Sequence, residues 1–306
     1  MTQPTTKLKK LLHRKDKVLA VLGAPNAFHA RIMEASGVEA CFVGTNITGG
    51  NHTGLPDLGV LSMSECVEIG KWIARSVKIP VILDGDTGHG GIMAVRRLVQ
   101  ECIDAGLAGL RLDDQPLEQK RRTLSAGIAI VSREEAVARY RTAVDMKDEL
   151  DPDFVIMSQC YARDAIGGGL AETLKRLRLY EKEAGVDWVQ FEAPHSIEEI
   201  KQARKVVKGF FSAMKGRLPR ALTLEEHKAL GLNAAWYTFL PDYVIKAAAW
   251  SFLREFQRKG IAAWYEFVDK SPDTPFTGGK AWEWEAAGLA KLAELEAKYF
   301  SKKKRR

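Results

Sequence analysis

Eight short apolar runs, rich in β-branched and aromatic residues, restrict the fold of this chain more than any other feature. They are VLAVLGA at 18–24, EACFVGT at 39–45, PVILDGD at 80–86, AGLRLDD at 108–114, DFVIMSQ at 153–159, DWVQFEA at 187–193, KGFFSAM at 208–214 and NAAWYTF at 233–239. Between them lie stretches such as AFHARIMEAS, MAVRRLVQECIDAG and SIEEIKQARKVV. Their apolar residues recur at spacings of three and four, the pattern of a helix with one buried stripe. Strands that are apolar throughout suit a parallel sheet covered by helices. Eight strand–helix repeats predict a closed (β/α)8 TIM barrel of the α/β class. An open doubly wound sheet is the alternative, but no GxGxxG follows the first run to form a dinucleotide crevice.

The chain has 306 residues, 46% hydrophobic and 28% charged, which excludes disordered, collagenous and coiled-coil classes. We read residues 1–17 as a basic leader, 18–258 as the barrel, 259–300 as a C-terminal helical extension and 301–306 as a basic tail. The leader lacks the apolar core and cleavage site of a secretory signal. No apolar run approaches the length of a membrane span. Four cysteines, Cys41, Cys66, Cys102 and Cys160, show no CxxC spacing, which argues against structural zinc and for reduced thiols in a cytoplasmic protein. The formal charge of +7 is concentrated at the two ends, which read as solvated tails, and nucleic-acid binding is not expected. The last helix carries Trp282, Trp284, Leu289, Leu292 and Leu295, an apolar face that packs either on its own barrel or on a partner subunit.

Active sites of such barrels lie at the C-terminal ends of the strands. The third run ends in Asp84-Gly85-Asp86, and alternation puts the two aspartates on one face. The fourth ends in Asp113-Asp114, and Asp57 follows the second. Clustered carboxylates repel unless a cation sits among them, and hard oxygen donors favour Mg2+ or Mn2+ over zinc. The same aspartates could instead cap helices or bind loop amides.

Four segments, GLPDLGVLSMSE at 54–65, DGDTGHGG at 84–91, LRLDDQ at 110–115 and FEAP at 191–194, resemble the isocitrate lyase and phosphoenolpyruvate mutase superfamily in order and spacing. The resemblance runs from about Val18 to the helices after Thr238. It implies a Mg2+-binding barrel, a homo-oligomer (dimer or tetramer) whose C-terminal helices swap between neighbours, and small carboxylic acid substrates broken through a metal-stabilised enolate. By the same resemblance, Asp84 binds the metal directly and Asp57, Asp86 and Asp113 hold metal-bound water. Position 113 is commonly glutamate in the superfamily. Gly44, Thr45 and Asn46 match the loop whose amides hold the substrate carboxylate, a use of backbone N–H groups that anion chemistry supports.

The departures concern the substrate. Where the lyases carry KRCGH with a proton-donating cysteine, this chain has Lys120-Arg121-Arg122-Thr123-Leu124. Guanidinium is a poor general acid, so Arg122 would clamp a carboxylate instead. Arg111 replaces a common histidine and, by alternation, points with Asp113, either neutralising it or meeting substrate. The substrate arginine of strand five falls on Gln159 or on Arg163, depending on how the strand is counted. Glu192 is retained as a carboxylate that handles a proton or supports its neighbours, and Lys120 joins Arg122 and Glu192 as a catalytic candidate. The function this predicts is a Mg2+-dependent lyase breaking a C–C bond of a 2-hydroxy or 2-oxo acid. The alternatives are an oxaloacetate-type decarboxylase, a P–C bond mutase or hydrolase, and a non-catalytic metal-binding barrel.

Overall fold

The computed structural model describes residues 3–117, 127–270 and 288–300. Lys120 and Arg122, Trp282 and Trp284, and the basic tail at 301–306 lie outside the described residues. All eight expected runs form strands: β1 (Leu19–Gly23), β2 (Ala40–Val43), β3 (Val81–Asp84), β4 (Gly109–Asp113), β5 (Val155–Cys160), β6 (Trp188–Phe191), β7 (Phe210–Ala213) and β8 (Ala234–Trp236). They pair in parallel in the order β7-β6-β5-β4-β3-β2-β1-β8. The sheet curls into a nearly closed (β/α)8 barrel. Asn233 spans the remaining gap: its N–H donates to the Phe211 carbonyl (2.9 Å) and its Oδ1 accepts the Phe211 N–H (2.9 Å).

Helices alternate with the strands as α2 (Ala27–Ala35), α3 (Gly50–Thr53), α4 (Met63–Ser76), α5 (Ile92–Asp104), α6 (Arg133–Leu150), α7 (Leu170–Lys182), α8 (Ile197–Val206) and α9 (Leu224–Ala229). Their starts are chemically marked. Ser62 and Thr223 close capping boxes with Glu65 and Glu226, and Asn26, Ser132 and Ser196 accept a first-turn N–H. Outward strand residues such as Leu83, Leu110, Leu112 and Ile156 fill the layer against these helices, whereas Val21, Phe42, Ile82, Met157, Trp188 and Trp236 fill the interior.

The basic leader corrects one expectation. Residues Pro4–His13 form helix α1 rather than a solvated tail. Leu8 and Leu12 are fully buried among Leu19, Val155 and Trp188 at the N-terminal end of the barrel, and the Leu12 carbonyl accepts Asn233 Nδ2 (3.0 Å). The lysines lie on the other side of the helix: Lys9 reaches the Pro152 carbonyl (2.6 Å) and Lys7 that of Lys78 (3.1 Å). A stripe of leucines three and four apart outweighs net charge in deciding where a helix goes.

The chain divides into two compact units between Tyr243 and Val244, one turn into α10 (Leu240–Lys259), where the sequence reading put the division at 258. The second unit also contains α11 (Ala262–Lys270) and α12 (Leu289–Tyr299). Within it, the Phe252 and Phe267 rings meet at 5.4 Å, and Trp264 stacks on Phe267 at 6.1 Å. Trp250, Leu253, Tyr265 and Val268 are exposed.

Candidate active site

The period of two along each strand brings Asp84 of β3, Arg111 and Asp113 of β4, Gln159 of β5 and Trp236 of β8 to the inner face of the barrel at its C-terminal end. Asp86 arrives by another route. Strand β3 ends at Asp84, and Asp86 sits in the left-handed region at φ 57°, so alternation does not place it. Gly85 makes the turn possible, because a Cβ there would come 2.5 Å from Leu110 and 2.9 Å from Leu112. The turn is fastened to β4: Gly85 N–H donates to the Arg111 carbonyl (2.8 Å), and Asp113 N–H to the Asp86 carbonyl (2.9 Å).

Asp84 is the hub. Its Oδ1 accepts the Asp86 N–H (3.2 Å) and its Oδ2 accepts Arg111 Nη2 (2.6 Å). The Thr45 hydroxyl lies 3.3 Å from the same Oδ2 and 2.9 Å from Asp57 Oδ1, linking the two aspartates. Asp84 and Arg111 are each only 3% exposed. Arg111 therefore pairs with Asp84 rather than with Asp113, whose Oδ1 accepts the Gln115 N–H (3.1 Å). The loop after β2 coils as a π-type turn, Thr45–Gly49, in which Thr48 and Gly49 N–H groups both donate to the Gly44 carbonyl (2.9 and 3.2 Å). Gly44 and Thr45 are buried and Asn46 is exposed.

Trp236, whose ring lies 5.7 Å from the Arg111 guanidinium, also lines a cavity of about 750 Å3 over the ends of β5–β8. Tyr161, Glu192 and Tyr237 line it with two cations, Lys215 and Arg217, the latter paired with Asp164 of the same wall (3.2 Å). Gln159 donates from Nε2 to Glu192 Oε2. Arg163 is engaged elsewhere, donating twice to Glu199 (3.0 and 2.8 Å) and once to His195 Nδ1 (2.8 Å). Of the two candidates for strand five, Gln159 is therefore the one on the inner face. Lys215 and Arg217 escaped the sequence reading; the only hint was SAMKGR, two cations just past a strand end.

The second aspartate of the pair at 113–114 turns the other way. Asp114 is fully buried, accepting Tyr180 OH (2.6 Å), Tyr161 N–H (2.9 Å) and Arg176 Nη1 (3.4 Å). Burial pushes its carboxyl above the ordinary range, against the pull of these donors. Cys160 beside it is buried, and desolvation holds its thiol well above the usual value, a packing residue and not a nucleophile.

Among the described residues, no three His, Cys, Asp or Glu side chains converge as a ready-made metal cage. The oxygens linked at Asp84 are nonetheless hard ones, its own carboxylate, the Thr45 hydroxyl and, across that hydroxyl, the Asp57 carboxylate. That chemistry fits Mg2+ or Mn2+.

Comparison with known proteins gives this geometry a family. The phosphoenolpyruvate phosphomutase family model matches residues 8–241. A 2,3-dimethylmalate lyase of Eubacterium barkeri is 36% identical over 245 residues, which is 79% of this chain and 82% of that protein. A 2-methylisocitrate lyase of Aeropyrum pernix is 31% identical over 264 residues, 85% and 82% of the two chains. The structure of oxaloacetate acetylhydrolase with 3,3-difluorooxalacetate superposes with TM-score 0.80 at 27% identity, covering 99% of this chain and 100% of that one. A phosphonopyruvate hydrolase with oxalate and Mg2+ shares the fold (TM-score 0.83, 23% identity, 98% and 100% coverage). With the barrel, the carboxylate-lined mouth and relatives spanning most of its length, the chain belongs to the phosphoenolpyruvate phosphomutase family, within the isocitrate lyase/phosphoenolpyruvate mutase superfamily.

Proposed function

We propose that this protein is a Mg2+-dependent lyase that breaks a C–C bond of a small 2-hydroxy or 2-oxo carboxylic acid. The observation that carries the reading is the link, through Arg111 and the Trp236 ring it faces, between the buried Asp84 carboxylate and a cavity whose wall combines Glu192 with Lys215 and Arg217. Asp84 would hold the ion directly, with Asp57, Asp86 and Asp113 acting through water. Once bound, the ion would supply a Lewis acid for the oxygens at the acid end of the substrate. The amides of Thr45 and Asn46, at the start of the turn that follows Gly44, would hold that end of the substrate. Lys215 and Arg217 grip the distal carboxylate, with Lys120 and Arg122 as further clamps. Glu192, oriented by Gln159, takes the proton of the substrate hydroxyl. As that O–H bond breaks, the hydroxyl carbon becomes a carbonyl and the C–C bonding electrons leave with the other fragment as an enolate, which is then protonated.

A hydrolytic reading has its own support. Oxaloacetate acetylhydrolase is among the structural relatives above 25% identity, and a structure of it holds the product oxalate (TM-score 0.78, 26% identity). In that variant, water attacks the 2-oxo carbon before the same bond breaks. Both readings are tested by incubating the enzyme and Mg2+ with malate-, citrate-, oxaloacetate- and phosphonopyruvate-type acids and identifying the products. Turnover of a C–C substrate that needs the metal, is abolished in Asp84→Asn and falls about a hundredfold or more in Glu192→Gln is the expected result. Oxalate with acetate selects the hydrolytic reading; metal-dependent turnover confined to the phosphonate, or none at all, overturns both.

No described helix is long and apolar enough to cross a membrane. We place the enzyme in the cytoplasm, in keeping with four buried free cysteines. We also assign it a homo-oligomeric state, dimer or tetramer, in keeping with the exposed Trp250, Leu253, Tyr265 and Val268 of its second unit.

A further inference from the structure

Arg111 is built into the mouth from three directions. Its Nη2 lies 2.6 Å from Asp84 Oδ2, the oxygen that also faces the Thr45 hydroxyl. The guanidinium carbon sits 4.5 Å from the centre of the Phe42 ring and 5.7 Å from that of Trp236. Its own carbonyl is tied to Gly85 N–H, so strand and carboxylate are held in register. Guanidinium stays protonated at any pH the protein meets and prefers this combination of planar carboxylate and aromatic face. A buried carboxylate with no cation is strongly destabilising, so a site that relied on metal alone to neutralise Asp84 would suffer whenever the metal left. Here a permanent cation does that neutralising.

We propose that Arg111 is a resident counter-cation of Asp84: it keeps the mouth folded without metal, and a divalent ion must displace it from Oδ2 or share that oxygen with it. The proposal rests on the reading of Asp84 as the metal-binding carboxylate. Its consequence is weakened metal binding. At about 5 Å and an effective dielectric near 20, one unit charge opposes the binding of a divalent ion by on the order of ten-thousandfold, most of which is relieved as Arg111 yields toward the rings. A gain of tenfold or more in affinity is therefore expected when the charge is removed.

The test is Mn2+ binding to the full-length protein by titration calorimetry and electron paramagnetic resonance, with thermal unfolding recorded with and without Mn2+. Arg111→Gln should bind Mn2+ at least tenfold more tightly than wild type, melt lower in the absence of metal and regain stability on adding it. Wild type should melt high without metal and gain less from it. Arg111→Lys, which keeps the charge, should stay near wild type in affinity. If Arg111→Gln does not fold, Arg111→His provides the same comparison at a pH where the imidazole is neutral. Equal or weaker binding by the uncharged variant overturns the proposal, and so does a Lys variant that gains affinity as much as the Gln variant. Binding that responds to Asp84→Asn but not to Arg111 removes the inference and leaves the metal reading standing. No Mn2+ binding by any form removes both.

Discussion

Asp113 and Asp114 are adjacent in sequence and opposite in role, and Asp114→Ala exposes the difference. Asp114 fastens α7 to the ends of β4 and β5 by accepting from Tyr180, Tyr161 and Arg176. Arg176 keeps Glu172 (2.7 Å) and the Val131 carbonyl (2.7 Å) as further partners. Removing the carboxylate leaves a buried hydroxyl and a buried amide without their acceptor, each costing about 1–3 kcal/mol. It also strips one anion from a buried guanidinium, a break that costs about 3–5 kcal/mol when the cation is left alone. Glu172 remains, so the total should lie at about 3–5 kcal/mol. At about 2–4 °C per kcal/mol for a domain of this size, Tm should fall by roughly 10 °C. Urea unfolding followed by circular dichroism measures the loss directly. A cycle with Tyr180→Phe should show a coupling of about 1 kcal/mol or more. The folded fraction should keep kcat within a few-fold at low temperature, whereas Asp113→Asn should leave stability nearly intact and impair turnover. A loss below 1 kcal/mol for Asp114→Ala, or a kcat collapse in protein that remains folded, would refute the assignment.

Three other expectations follow from the same structure. Leu8→Ala and Leu12→Ala, at the plugged end of the barrel, should each cost about 2–5 kcal/mol in urea unfolding; an effect below 0.5 kcal/mol would mean that α1 is dispensable. Lys215→Ala with Arg217→Ala should raise KM at least about tenfold for a dicarboxylic substrate with little change in kcat, the mark of lost uniform binding, and an unchanged KM would remove these residues from the substrate site. His227 is buried with Nδ1 against the Thr223 carbonyl (2.8 Å), and desolvation lowers its pKa. As pH falls through about 6.5, the unfolded chain gains a proton that the folded imidazole refuses, so stability drops by at most about 1.4 kcal/mol per pH unit until the lowered folded value is reached. His227→Gln should flatten that part of the stability–pH curve; parallel curves for the two proteins would contradict the assignment.

How far the sequence carried depended on the physical range of each signal. Strand existence is local: unbroken apolar runs bounded by glycine and charge gave all eight strands, and strand alternation separates Asp113 from Asp114 without any structure. The leucine stripe of α1 is equally local, but seven Lys, Arg and Asp residues within the first 17 point toward a tail. Alternation does not describe Asp86, because it lies two residues past the strand, in a turn that Gly85 makes. What no local signal could supply is the pairing across strands. Asp84 and Arg111 are Cα partners in the β3–β4 ladder, and that register, with the cross-barrel approach of Phe42 and Trp236, decides that Arg111 meets Asp84 and not Asp113. A register shifted by a single residue would turn one of the two side chains into the helix layer and leave a charge unpaired there. The electrostatics of this mouth are thus set by strand registration as much as by the motif that first pointed to it. A relative with the same aspartates but no cation at the Arg111 position should need its metal to hold the mouth together, where this chain does not.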